Sequence, residues 1–223
     1  MNSTAARLTA KFAESVVHGL ILFLAAGTVH YWQGWVFLAV YNLAGWIPSI
    51  YLMRTNPDAF ERRMRGPTAE TRIAQRILIV GWLLSVPAAF VISGLDHRFG
   101  WSHVPTAICL IGDVLVAVGL ILVTVVAVQN SYAAANVQVE GGQTIVSTGL
   151  YGMVRHPMYT GSMIMMIGIP LALGSYWGLL TVLLAAVSLS LRIRDEEKML
   201  QEELEGYRDY TQKVRYRLVP CVW

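Results

Sequence analysis

Residues 104–129 read VPTAICLIGDVLVAVGLILVTVVAVQ, a run whose one charged residue is Asp113. A membrane-crossing helix needs about 20 mostly apolar residues, and this run exceeds that. It lacks the strict apolar/polar alternation of a barrel strand, and an open sheet cannot satisfy its backbone in lipid. The run predicts a spanning helix and sets the class of the whole chain. Runs of the same character cover Phe12–His30, Gly34–Met53, Arg76–Gly94, Tyr159–Leu173 and Tyr176–Ile193. The Tyr159 run is short and Gly174-Ser175 follows it at once, so the last two predict a tight hairpin.

The balance of residues agrees. Of 223 residues, 55% are hydrophobic and 14% charged, against about a quarter charged in soluble domains. The expected fold is all-α: a polytopic membrane bundle of about six helices. Residues 1–129 supply the N-terminal helices, with a basic interfacial segment at 54–75. Residues 130–223 supply a polar loop, the hairpin and a charged amphipathic helix over Asp195–Gln212, all within one integrated domain. Ala25-Ala26-Gly27 imitates a signal-peptide cleavage site, but the next span follows almost directly, so the first run reads as a retained helix. The net charge of +3 comes with no polybasic tail, which argues against nucleic acid as a partner. Cys109 and Cys221 form no framework and read as free thiols.

Loop charge sets the orientation. With the N-terminus inside and six helices alternating, only Arg98 of the 17 Lys and Arg falls outside. The positive-inside rule then places both termini in the cytoplasm. Tyr31, Trp32, Trp35, Trp101, Tyr176 and Trp177 gather at the expected outer ends, as in an aromatic belt.

Polar residues concentrate on the inner side. Gln138 to Tyr159 is rich in Gly, Ser, Thr and Gln and closes on Arg155-His156-Pro157. Pro157 suits a first helical turn. That helix start would offer free N–H groups and a positive dipole end to an anionic group, and Arg155 could fork onto a carboxylate. The same residues would also serve simply to anchor a helix at the headgroups. Arg192 and Glu196 share a helix face four residues apart, which fits either an ordinary surface pair or a site. Glu14, His18 and Asp113 are intramembrane polar residues. Each fits a function, or a buried hydrogen bond or protonated carboxyl. No dinucleotide fingerprint, P-loop, nucleophile elbow or close metal-ligand cluster occurs, so a metal centre is not expected. Chemistry here would rest on positioning.

Three motifs occur in order: Gly149-Leu-Tyr151-Gly-Met-Val-Arg155-His156-Pro157-Met-Tyr159-Thr-Gly161, then Arg192-x-x-x-Glu196-Glu197, then Gly206-Tyr207-x-x-Tyr210. Together they resemble the isoprenylcysteine carboxyl methyltransferase family, itself related to the membrane phospholipid methyltransferases. The resemblance covers about Gln138 to Pro220. Asn56-Pro57-Asp58 with Arg62-Arg63 adds a weaker likeness to bacterial members.

The resemblance implies an S-adenosyl-L-methionine-dependent methyltransferase, its cofactor held at the cytoplasmic face by the C-terminal third. By carry-over, Gln138, Gln143, Thr144, Ile145, Val146, Tyr151, Arg155, His156, Pro157, Met158 and Glu196 would line the cofactor. Arg192 would face the acceptor and, with Glu196, form the catalytic pair. Gln143 departs from the family's eukaryotic members, which have a His there. The implied partner is a lipophilic or lipidated molecule arriving from the bilayer, with a carboxylate as methyl acceptor. The alternatives are a phospholipid amine acceptor with Glu197 or His156 as base, a membrane reductase with a similar C-terminal region, an inactive relative, or a non-enzymatic protein whose polar loop binds a partner.

Overall fold

The computed structural model describes residues 3–57, 60–61, 73–130 and 145–223. Helix α1 covers Ser3–Ala26, α2 Trp32–Thr55, α3 Ile73–Phe99, α4 Thr106–Gln129, α5 Pro157–Ala172, α6 Leu180–Glu203 and α7 Tyr207–Lys213. Short 3-10 turns stand at Gly149–Gly152 and Trp177–Leu179. No strand occurs among the described residues. Four stretches are long and apolar enough to cross a membrane: Trp32–Thr55, Gln75–Phe99, Thr106–Gln129 and Trp177–Glu203. Pro157–Ala172 is apolar but shorter. α1 has the length of a span but carries Lys11 and Glu14, and stands outside that group. Most of the interfacial segment at 54–75 lies outside the described residues.

The helices pack as a ring in which α1 meets α3, α3 meets α6, α6 meets α5, α5 meets α4 and α4 meets α2. The α4–α5 contact is the closest. Gly112 and Gly119 on α4 face Gly168 and Gly161 on α5. A Cβ added at Gly119 would lie 2.6 Å from the Gly161 carbonyl oxygen, and one at Gly168 would lie 2.7 Å from that of Gly112. Small residues let two backbones touch, which is how helices gain packing energy where lipid supplies no hydrophobic drive. The centre is filled by Leu22, Phe37, Phe90, Val116, Met166 and Ile169. Outward, Leu24, Ile77, Val114 and Leu183 are exposed, an apolar surface suited to lipid and not to water.

Three expectations need correction. Tyr31 is no belt residue: it is buried, stacks on His97 at 3.9 Å and donates its hydroxyl to the Leu173 carbonyl. Trp32, Trp35, Trp101, Tyr176 and Trp177 are exposed. The third helix runs on to Phe99 because Asp96 is satisfied inside the fold, accepting from the Ser102 N–H and hydroxyl at 2.7 Å each and from Ser175. The single helix expected over Asp195–Gln212 is broken. α6 ends at Glu203, and Gly206 turns the chain in left-handed backbone (φ +81°) before α7 begins. Only glycine adopts that conformation without strain.

Candidate active site

Residues 145–156, the start of α5, the end of α6 and the C-terminal tail meet at one end of the bundle. Pro157 occupies the first turn of α5 behind His156, whose carbonyl accepts the N–H groups of Tyr159 at 3.0 Å and Thr160 at 3.1 Å. The tail runs alongside. The Arg155 N–H donates to the Tyr216 carbonyl and the His156 N–H to that of Arg217, both at 2.9 Å. The Thr160 hydroxyl donates to the Leu218 carbonyl at 2.8 Å.

Glu197 is the hub of this region. Arg155 Nε donates to its Oε1 at 2.6 Å, His156 Nε2 lies 3.3 Å from the same oxygen, and Arg217 Nε donates to Oε2 at 2.8 Å. Arg155, His156 and Glu197 are all buried, while the Arg217 side chain is 32% exposed. Arg155 also donates through Nη1 to the carbonyls of Val214 at 3.0 Å and Arg215 at 3.1 Å. A buried carboxylate in this setting is held only because charged donors replace its lost hydration.

A second polar chain lies beside the first. Arg192 Nε donates to the Tyr159 hydroxyl at 3.0 Å, and that hydroxyl donates to Glu196 Oε2 at 2.7 Å. Arg192 and Glu196 are thus linked through a phenol on α5, in addition to sharing a helix face. Gln75, fully buried on α3, fixes the α6 side of this chain. Its Nε2 donates to Asp195 Oδ2 at 2.6 Å and to the Arg192 carbonyl at 3.2 Å. Arg192 Nη1 in turn reaches the Gln75 carbonyl at 3.5 Å. Arg192 is 1% exposed, a burial that few arginines reach without such partners.

Of the residues expected from sequence, Arg155, His156, Pro157, Met158, Arg192 and Glu196 stand at this end on α5, on α6 or directly before α5. Ile145 packs beside Tyr207, Tyr210 and Val214, and Val146 beside it is half-buried. The backbone carbonyl of Tyr151 accepts the Tyr210 hydroxyl at 2.7 Å. Burial pushes the Tyr151 phenol up to about 12. Gln138, Gln143 and Thr144 lie outside the described residues. Gln75 and Arg217 were not singled out in the sequence. Each acts through a partner on a different element, and no local spacing signals such a contact.

Elsewhere, Glu14 and His18 line a cavity of about 240 Å³ together with Lys11, Tyr41, Asn42 and Ser49. Asp113 is buried and neither carboxylate oxygen has a hydrogen-bond partner. That removes the interhelical hydrogen bond as its explanation. No cluster able to hold a metal ion occurs among the described residues.

Residues 108–205 match the phospholipid methyltransferase family. That match covers less than half of the chain. It contains all but the first two residues of α4, the whole of α5 and α6, and the Arg155–Glu197 and Arg192–Tyr159–Glu196 contacts, and it stops short of α7 and the tail. The family agrees with the likeness carried by the Arg155–Pro157 and Glu196-Glu197 motifs. The chain is also similar to the mouse delta(14)-sterol reductase TM7SF2, with 33% identity over 85 residues, 37% of this chain and 20% of that protein. The chain therefore spans a minor part of that relative. Among solved structures it is similar to the eukaryotic intramembrane Ras methyltransferase ICMT (isoprenylcysteine carboxyl methyltransferase). That likeness has a TM-score of 0.49 and 15% identity, covering 100% of this chain and 88% of that one.

Proposed function

We propose that this membrane protein transfers a methyl group from S-adenosylmethionine to a lipophilic acceptor carrying a carboxylate. The observation that carries the reading is the Arg192–Tyr159–Glu196 chain at the head of α5, inside a methyltransferase-family segment. The residues in place suit the cofactor. Glu196 is a half-exposed carboxylate for a cationic group, whereas the backbone N–H groups around the α5 start are largely taken up, those of Arg155 and His156 by the tail and those of Tyr159 and Thr160 by the His156 carbonyl. When bound, S-adenosylmethionine supplies an electrophilic methyl on a sulfonium. Ile145, Val146, Tyr151, Arg155–Met158 and Glu196 would hold it, joined by Gln138, Gln143 and Thr144 from the loop.

Arg192 would orient the acceptor carboxylate. A carboxylate needs no general base, so alignment and exclusion of water supply the catalysis. The amine alternative needs a base, and Glu197 is poorly placed for that role: Arg155, His156 and Arg217 already occupy both its oxygens. We place α1 and α5 with the four long apolar helices as six membrane segments. The site and both termini then face the cytoplasm, the cofactor arrives from that side, and the acceptor arrives sideways from the bilayer.

The reductase match supports a second reading, a nicotinamide-dependent relative. Calorimetric titration of detergent-purified protein separates the two. Binding of S-adenosylhomocysteine without binding of NADPH supports the methyltransferase, and the reverse overturns it.

A further inference from the structure

Tyr207 follows the left-handed Gly206 and is turned into the protein, leaving it 5% exposed. Its ring sits 5.7 Å from that of Tyr210, against Ile145, Leu200 and Leu204. The two phenols fare differently. The Tyr210 hydroxyl donates to the Tyr151 carbonyl at 2.7 Å, whereas the Tyr207 hydroxyl is sealed from solvent and has no hydrogen-bond partner. A buried, unsatisfied hydroxyl costs free energy that a phenyl ring of the same shape would not. Glu197, Glu196 and Arg155, the residues that build the candidate site, lie near enough to act on it electrostatically. Burial and the two carboxylates hold this phenol well above its ordinary value, so it remains a proton donor at physiological pH.

We propose that the Tyr207 hydroxyl is a ligand contact, donating to a neutral acceptor atom of the S-adenosyl nucleoside, either a ribose oxygen or a purine nitrogen. The inference rests on the cofactor reading above and adds a residue that lies beyond the family-matched segment. A neutral acceptor suits this hydroxyl because its surroundings include the apolar side chains of Ile145, Leu200 and Leu204, against which an unpaired anion would lose its hydration.

The test pairs Tyr207→Phe with Tyr210→Phe in detergent-purified full-length protein. Each variant is measured for S-adenosylhomocysteine affinity by calorimetry and for ligand-free melting temperature. Tyr207→Phe is expected to weaken binding about tenfold, the worth of one hydrogen bond in a dry site. Its ligand-free melting temperature is expected to equal or exceed that of wild type. Tyr210→Phe is expected to lower the ligand-free melting temperature by about 2–4 °C, because it strands the Tyr151 carbonyl. Unchanged affinity in Tyr207→Phe overturns the inference alone, as does a fall in its ligand-free stability matching that of Tyr210→Phe. A wild-type protein that binds no S-adenosylhomocysteine overturns the cofactor reading and takes this inference with it.

Discussion

Glu197→Gln keeps the size of the side chain and removes its charge. Both carboxylate oxygens face N–H donors, Arg155 Nε at 2.6 Å and Arg217 Nε at 2.8 Å. Whichever way the amide is turned, its NH₂ meets a donor instead of an acceptor. Removing one partner from a buried ion pair costs about 3–5 kcal/mol. The Arg217 contact is partly solvated, with 32% of that side chain exposed, so its own share is about 0–1 kcal/mol. A net loss of about 3 kcal/mol corresponds to a melting temperature lower by about 6–12 °C for a chain of this size. Tryptophan fluorescence during thermal unfolding in detergent reads this directly. Pairing the variant with Arg217→Ala in a double-mutant cycle isolates the tail's part. A shift below about 2 °C for Glu197→Gln, under about 1 kcal/mol, would refute the placing of Glu197 as the hub that ties α5, α6 and the tail together.

Tyr159→Phe removes the phenol between Arg192 and Glu196. Methyl transfer is expected to drop at least about tenfold while circular dichroism stays that of wild type; undiminished turnover would count against the chain as the reacting centre. Gly168→Ala places a methyl 2.7 Å from the Gly112 carbonyl, and gel filtration should show loss of monodisperse protein. Gly45→Ala, with nothing within 4 Å, should behave as wild type. Stability should also fail on the alkaline side. Tyr151, Tyr207 and Tyr210 have folded pKa values raised above the ordinary 10.0 by burial. Above that value the unfolded chain releases phenolic protons that the folded chain keeps. The stability present below it is therefore lost as pH rises, by about 1.4 kcal/mol per pH unit for each phenol. Melting temperature measured from pH 8 to 11 should stay flat and then fall, less steeply for Tyr210→Phe; a flat profile throughout would contradict the burial of these phenols.

The long apolar runs were legible because lipid allows one backbone solution for an exposed spanning segment. Pro157 marked the head of α5 for a similarly local reason. Helix ends were harder to read. Asp96 looks like a loop residue in sequence, yet Ser102 and Ser175 satisfy it within the fold and let α3 continue. Gly206 marks the break after α6 only once its positive φ is known. In the site, the residues close together in sequence were recognisable as motifs. What holds them was not: Arg217 reaches Glu197 from the tail, and Gln75 reaches Asp195 from a helix far earlier in the chain. Contacts of that kind leave no period or spacing in a single sequence. The four-residue spacing puts Arg192 and Glu196 on one face, but the link between them is a phenol contributed by α5.

The central claim is methyl transfer to a lipophilic carboxylate. Its most direct test incubates the purified protein with S-adenosylmethionine carrying a tritiated methyl group and a lipid extract from its own host membranes. The account predicts tritium in the organic phase, released as methanol by mild base, as a methyl ester requires, and absent with Glu196→Ala. Tritium that resists base would place the methyl on an amine, and an organic phase without label would contradict the account.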